Sequence, residues 1–274
     1  MIRRTFRHVH GIGGGIERAL WSSGLTTWEA AAASDVVVPR VGRLAPHAAA
    51  SLAAWEARDF AYFAPVTSGS EAWRWYGVLR RRCLYLDIET TGLGREYDVV
   101  TVVSCYDGQD VTLFVRDDNL ADFPFFLGDF DLLVTYNGAG FDVPFLKHTW
   151  PHLHLPPVHL DLRHPLHSLG YRGGLKGIEQ ATGLGRDSEL LAVDGYMAVK
   201  LWHAHQRGDA RALPTLLRYA AEDVLGLEPL AHLVYNAKSA EMQPPVEPLP
   251  DPVRRGCDLP WHPEVVAALS YSPS

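Results

Sequence analysis

The stretch Tyr85-Leu86-Asp87-Ile88-Glu89-Thr90-Thr91-Gly92 decides which fold this sequence predicts. The apolar run Cys83–Ile88 is typical of a buried strand, and alternation along a strand places residues i and i+2 on one face. Asp87 and Glu89 therefore project together from the strand end, where two carboxylates repel each other and are costly to desolvate. A bound divalent cation would remove that cost. The alternative is an exposed strand end at which water solvates both acids.

Around this stretch the chain alternates strands and helices. Further strands are predicted at Val99–Tyr106 and Val111–Val115, which the turn Asp107-Gly108 joins, and at Leu132–Tyr136 and Val158–Leu162. Helices are predicted at Asn119–Leu127, at Phe141–His148 and from about Leu175 to Ala237. Because strand–helix crossovers require parallel pairing, we expect an α/β fold with a five-stranded mixed sheet flanked by helices.

Composition divides the chain into three parts. Residues 1–80 are rich in Ala, Trp and Arg and predict a small helical segment, in which Ser70 is a candidate cap for a helix running toward Arg80. Residues 81–238 contain the strand–helix pattern. In residues 239–274 prolines are crowded, which predicts an extended tail.

Several classes of protein do not fit the composition. No apolar run is long enough to span a membrane, and no apolar stretch follows the first residues as in a secretory signal. The three cysteines are widely spaced and odd in number, which does not indicate a disulfide framework and fits a reducing compartment. We therefore expect a cytoplasmic protein without a membrane partner.

Charge is distributed unevenly along the chain, whose net charge is −7. Residues 1–82 contain eleven arginines against six acids, a charge of +5, whereas residues 83–274 carry −12. A basic segment beside an acidic body suggests an electrostatic contact with a polyanion. The alternative is that short segments fluctuate in charge by chance.

Two further acids stand on predicted helices. Asp142 follows a glycine loop and begins a helix, so it could cap that helix. Tyr219 and Asp223 are four residues apart and share one helix face. The alternative for this pair is a surface tyrosine beside a solvated acid. Asp161, after the fifth predicted strand, could be a further acid near a metal or a cap of the next helix, and we favour the cap.

In order and spacing these motifs resemble those of the DEDD exonucleases of the ribonuclease H-like superfamily, in the subclass that contains a tyrosine. The matching residues are Asp87 and Glu89 in motif one, Asn137, Phe141 and Asp142 in motif two, and Tyr219 and Asp223 in motif three. Residues 85–93, 159–162 and 174–179 resemble YprB-type bacterial exonucleases in particular. The resemblance covers about residues 80–236 and implies a ribonuclease H-like fold.

The resemblance also implies chemistry. Two Mg²⁺ or Mn²⁺ ions would bind at four carboxylates, since these cations prefer oxygen ligands. By analogy Asp87 contacts both ions, Glu89 and Asp223 complete the site of the attacking water, and Asp142 holds the second ion. Tyr219 would orient that water.

For the substrate, the resemblance implies single-stranded nucleic acid with a free 3′ end, DNA before RNA, cleaved in the 3′–5′ direction. Thr90 and Asn137 are candidates for contacting it. The alternatives are a structure-selective endonuclease or ribonuclease on the same scaffold and a non-catalytic nucleic-acid-binding module.

The N-terminal stretch Val9–Gly13 precedes a predicted helix that extends to Trp21, with Gly24 at its end and Thr26 or Thr27 as the next cap. It resembles a helix-hairpin-helix element, which implies that backbone N–H groups near Gly11 and Gly13 contact a phosphate. It departs from that pattern because glycines replace the basic residue often found after the loop. The alternative is a helical turn that packs its tryptophans into a core.

Overall fold

The computed structural model of the protein describes residues 1–185, 193–251 and 255–270. The strands in these residues are Val37–Val38 (β1), Gly42–Arg43 (β2), Cys83–Thr90 (β3), Val100–Tyr106 (β4), Val111–Val115 (β5), Leu132–Thr135 (β6) and Val158–Asp161 (β7). β1 and β2 form a small hairpin, and the others form one sheet in the order β5-β4-β3-β6-β7. β3, β4 and β5 pair antiparallel, whereas β3, β6 and β7 pair parallel. The predicted five-stranded mixed sheet is confirmed.

Helices flank this sheet. They are Gly14–Ser22 (α1), Trp28–Ala32 (α2), Leu44–Glu56 (α3), Trp73–Leu79 (α4), Phe123–Phe126 (α5), Asp142–Thr149 (α6), Arg163–Ser168 (α7), Leu175–Thr182 (α8), Gly195–Gln206 (α9), Ala212–Ala240 (α10) and Pro263–Ser270 (α11). The region predicted as helical after Leu175 is thus divided among α8, α9 and α10, and its residues 186–192 lie outside the described residues. In the part of the chain that is described, no helix combines the length and apolarity needed to cross a membrane.

The alternation along β3 separates two hydrophobic clusters. Cys83 and Tyr85 belong to a buried cluster with residues of α4 and α10. Leu84 and Leu86 belong to a second cluster, which contains residues of α5 and α6 on the opposite face. Side chains at odd positions of β3 therefore point toward α10, because successive side chains of a strand point to opposite faces.

One helix departs from its prediction. The single helix expected over Asn119–Leu127 is wrong, since a 3₁₀ turn at Leu120–Asp122 leads into α5 and a second 3₁₀ turn follows at Leu127–Asp129. Pro124 stands in the first turn of α5. A proline lacks the N–H that a continuous helix needs but is tolerated in a first turn, so a new helix begins there.

The N-terminal segment is mainly helical, as predicted, but also contains the hairpin of β1 and β2, and it packs against the sheet. Trp28 and Trp75 are fully buried in the same cluster as Leu160 of β7, and the backbone N–H of His159 donates to the Thr67 carbonyl at 2.8 Å. The segment thereby covers the edge of β7. The prediction that Ser70 caps a helix is wrong, because Ser70 lies inside a 3₁₀ turn and α4 begins later without a side-chain cap. The division of the chain at residues 80 and 238 stays a prediction.

The C-terminal tail is not extended throughout. Residues Pro263–Ser270 form α11, which packs on α9 and buries Val265 and Val266. The extended tail predicted from the prolines is wrong at these residues, because Pro263 occupies the first position of the helix, where proline is favourable. Residues 252–254 and 271–274 of the tail lie outside the described residues.

Candidate active site

Three carboxylates meet between β3 and α10. Asp87 and Glu89 stand at odd positions of β3 and therefore face α10, which contributes Asp223. One carboxylate oxygen of each residue lies within 4.8 Å of the others. Glu89 and Asp223 are only 7% and 6% exposed, and Asp87 is half-buried.

Such an arrangement favours a cation. Three carboxylates this close repel one another, and burial makes each negative charge costlier because the surrounding dielectric is low. A divalent cation offsets both costs, and carboxylate oxygens are the ligands that Mg²⁺ and Mn²⁺ prefer. The donor set at Asp87, Glu89 and Asp223 therefore fits such an ion.

Asp142 reaches the same cleft from a neighbouring element. Because β6 runs parallel to β3, the loop after β6 begins at the same end of the sheet as Glu89. Asp142 is the first residue of α6, directly after that loop. The N-cap of α6 is Phe141, so Asp142 is not the predicted cap, and its carboxylate accepts a hydrogen bond from the Ile88 N–H at 3.2 Å. Asp142 is not one of the three mutually close acids.

The pKa of Asp142 is raised to about 7, chiefly because burial disfavours the charged carboxylate. Backbone hydrogen bonds, including the one from Ile88, lower the pKa and oppose that effect, while the nearby charges of Asp161 and Asp223 raise it further. Burial thus makes the charged form of Asp142 costly when no cation is bound.

Asp161 organises the loop that leads to Asp142. Its Oδ1 accepts hydrogen bonds from the N–H groups of Asn137, at 2.8 Å, and Arg163, at 3.0 Å. Its Oδ2 accepts one from Ala139 at 3.0 Å. The N-cap of α7 is Leu162, without a side-chain cap bond, so the favoured prediction that Asp161 caps this helix is wrong, and its two bonds to the loop were not predicted. The parallel pairing of β7 with β6 could have predicted these two bonds, because it places the end of β7 beside the loop that follows β6.

The acids line a cleft of about 410 Å³. Two predicted site residues, Tyr219 and Thr90, also line it. The Thr90 hydroxyl donates a hydrogen bond to the Gly92 carbonyl at 2.6 Å. Asn137 is a third, and it adopts a left-handed backbone with φ +64° while its side-chain oxygen accepts a bond from Arg163. The Nζ of Lys176 lies 4.5 Å from the centre of the Tyr219 ring.

Some lining residues were missed by sequence reasoning. Gly195, Tyr196 and Val199, at the start of α9, close one side of the cleft. These residues belong to none of the three sequence motifs that contain the acids. Only the packing of α9 against α10 and β3 brings them to the site.

Gly11 and Gly13 lie elsewhere. They line a cavity of about 380 Å³ together with Arg7 and His10, and no residue of that cavity also lines the acidic cleft. Gly11 has φ +89°, and Gly13 precedes α1. The packing interpretation of this segment is supported, since Trp21 and Trp28 are buried in the core.

Arginines of the N-terminal segment have internal partners. Arg3 forms an ion pair with Glu29, and Arg7 with Glu71. The buried Arg74 pairs with Glu17 at 3.0 Å. These three acids belong to the same segment and are already counted in its charge of +5, so the ion pairs fix the positions of these arginines without lowering that net charge.

Comparison with known proteins gives a family assignment. A family model described as RNase_H superfamily matches residues 84–235, which is more than half of the chain. No curated protein matches the chain.

Solved structures also resemble this one at low identity. The chain is similar to a family B DNA polymerase from the archaeon Pyrobaculum calidifontis, with 21% identity, a TM-score of 0.46 and coverage of 59% of this chain and 26% of that chain. It is similar to Brucella melitensis NrnC with bound Mg²⁺, with 20% identity, a TM-score of 0.40 and coverage of 58% and 74%. It is similar to the Aedes aegypti Nibbler EXO domain, with 14% identity, a TM-score of 0.35 and coverage of 74% and 93%. The chain spans about a quarter of the polymerase's length.

Proposed function

The chain belongs to the RNase H superfamily, and from this premise we propose that it is a divalent-metal-dependent exonuclease removing nucleotides from the 3′ end of single-stranded nucleic acid. Within the superfamily we place it among the DEDD enzymes that contain a tyrosine, beside the YprB-type proteins. Residues 81–238 would form the catalytic domain. DNA is the first substrate to test and RNA the second.

One observation supports this proposal above others: the carboxylate oxygens of Asp87, Glu89 and Asp223 lie within 4.8 Å of one another in an open cleft. A protein that only binds nucleic acid gains nothing from three repelling, largely buried acids facing its polyanionic ligand. In a nuclease they hold the cations that the reaction needs. When bound, two Mg²⁺ or Mn²⁺ ions supply activation of the attacking water and neutralisation of the leaving oxygen.

We assign each of the four acids to one or both of the metal ions. Asp87, Glu89 and Asp223 would hold the ion that activates the attacking water, and Asp87 and Asp142 would hold the ion that neutralises the leaving oxygen. Asp142 is not one of the three mutually close acids. The fold positions Asp142 through Ile88 and through the loop bound to Asp161.

Tyr219 lines the cleft one helical turn before Asp223. We assign it the orientation of the attacking water by a hydrogen bond, not removal of the water's proton. Lys176 packs its ammonium group over the Tyr219 ring and holds the ring in place.

The test is digestion of 5′-labelled linear DNA and RNA strands in Mg²⁺ or Mn²⁺, with circular single strands alongside. We expect a ladder that shortens from the 3′ end and intact circles. Cleavage of the circles would show an endonuclease on the same scaffold. No cleavage of any strand with either metal would show that the proposal is wrong.

Two variants control this experiment. Asp87→Asn should be inactive, because it removes one charge from the cation site. Asp110→Asn changes an exposed acid in the turn between β4 and β5 and should cleave like the wild type. If both variants lost activity equally, the loss would not identify the cleft as the active site.

A further inference from the structure

A second cavity adjoins the acidic cleft. Its volume is about 310 Å³, at the lower end of the range of small-ligand pockets, ~300–1,000 Å³. It shares Leu93 and Phe141 with the cleft. The cleft and this cavity therefore adjoin each other at these two residues.

Aromatic residues line the cavity. α6 and the residue before it contribute Phe141 and Phe145, whose ring centroids lie 4.9 Å apart, together with Pro144. Tyr97, which is 89% exposed, also lines it. Every nucleobase has a face that stacks on an aromatic ring, so a base suits such a lining.

The loop that presents Tyr97 is held in one conformation. We call residues 91–98 the 91–98 loop. The carboxylate of Asp98 accepts hydrogen bonds from the Thr91 hydroxyl, at 3.0 Å, and from the Gly94 N–H, at 2.8 Å. The Thr91 hydroxyl also accepts a bond from the Val99 N–H at 3.0 Å. A Cβ at Gly92 would lie 2.5 Å from Asp98 Oδ2, so a glycine permits this closure. An exposed aromatic ring is thus displayed on a preorganised loop.

We propose that this cavity binds the base of the nucleotide next to the scissile one, with Tyr97 stacking on that base. The proposal rests on the proposed function, since the acidic cleft must hold the scissile nucleotide. Arg95 and Glu96 of the same loop also line the cavity, and the positive charge of Arg95 is available to the connecting phosphate. Stacking does not distinguish one base from another, so the site selects unpaired strands without selecting their sequence.

The experiment pairs a protein change with a substrate change. Tyr97→Ala is compared with the wild type on a single-stranded oligonucleotide and on the same strand with an abasic residue at the second position from the 3′ end. We expect either change alone to lower kcat/KM by about 5- to 150-fold, the range for losing one base–aromatic stack. Together they should lower it little further, because both remove the same contact. Tyr97→Phe should restore the intact strand to near the wild-type rate.

Phe125→Ala is the matched control, because Phe125 is an 85% exposed aromatic residue on α5 that lines neither cavity. An abasic residue near the 5′ end is the matched control in the substrate. The proposal is overturned if Tyr97→Ala cleaves the intact strand like the wild type, or if the two losses multiply.

A binding measurement separates this proposal from the proposed function. Fluorescence anisotropy of a labelled oligonucleotide needs no turnover, and Tyr97→Ala should weaken binding by a similar factor. If the wild type binds but does not cleave, and Tyr97→Ala weakens that binding, the proposed function fails while the stacking site stands. If it cleaves and Tyr97→Ala neither slows cleavage nor weakens binding, the stacking site fails while the function stands.

Discussion

Asp142→Asn should change how the metal-free protein's stability depends on pH. The pKa of the buried Asp142 is raised from 3.8 to about 7, so the folded state binds this proton more tightly than the unfolded state does. The stability that comes from the protonated acid is fully present below about pH 4 and is lost as the pH rises through about 7. Within this window each pH unit costs about 1.4 kcal/mol, and the whole window about 4 kcal/mol.

The buried His8 makes the free energy of unfolding depend on pH in the opposite direction to Asp142. The wild type alone would therefore not reveal the effect of Asp142. The pKa of His8 is lowered to about 4, first because of burial and then because of the nearby His47. Its contribution is present above about pH 6.5 and is lost as the pH falls toward 4, so the two effects partly cancel in the wild type. Subtracting the Asp142→Asn variant removes the His8 contribution, which both proteins share.

The assay is urea unfolding of the wild type and Asp142→Asn in EDTA, at pH 5, 6 and 7. Relative to the wild type, the variant's free energy of unfolding should increase by about 2 kcal/mol from pH 5 to pH 7. An asparagine oxygen can still accept the bond from Ile88, so the fold is kept. Saturating Mg²⁺ should reduce the difference, because a cation stabilises the charged carboxylate. A difference that stays flat between pH 5 and 7 in EDTA would refute this account of the cleft, and Asp110→Asn should give that flat result.

Further outcomes follow from the other residues. Asp87→Asn should abolish cleavage while leaving the metal-free protein as stable as the wild type or more so, since it relieves repulsion; calorimetry and the nuclease assay check this, and an unfolded variant would contradict it. Tyr219→Phe should keep metal and substrate binding but slow single-turnover cleavage by about 10- to 10³-fold, the scale of one lost hydrogen bond in catalysis; an unchanged rate would remove Tyr219 from the mechanism. Changing Arg3, Arg4 and Arg7 together to Ala should lower Tm and leave the salt dependence of binding unchanged, because Arg3 and Arg7 form internal ion pairs. A log–log slope shallower by about 0.7 per lost phosphate contact would instead show that they hold the substrate.

Local pattern was enough for much of the fold. The strand at Cys83–Ile88 and the hairpin at Asp107-Gly108 follow from apolar runs and turn residues that are contiguous in sequence, and both occur as predicted. The same alternation that predicts β3 also places Asp87 and Glu89 on one face. In contrast, α11 is helical where the prolines predicted an extended chain. Its Val265 and Val266 are buried because they pack against α9.

The sequence by itself determined which acids stand at strand and helix positions suited to a cation site. Only the tertiary structure decided that Asp223 of α10 meets Asp87 and Glu89, that Asp161 supports the loop before Asp142, and that Tyr97 faces a cavity beside the cleft. The physical reason is the distance along the chain over which each effect acts. Periodicity and turn chemistry act over a few residues, whereas desolvation, ion pairing and cavity shape depend on which distant segments the packed core brings together.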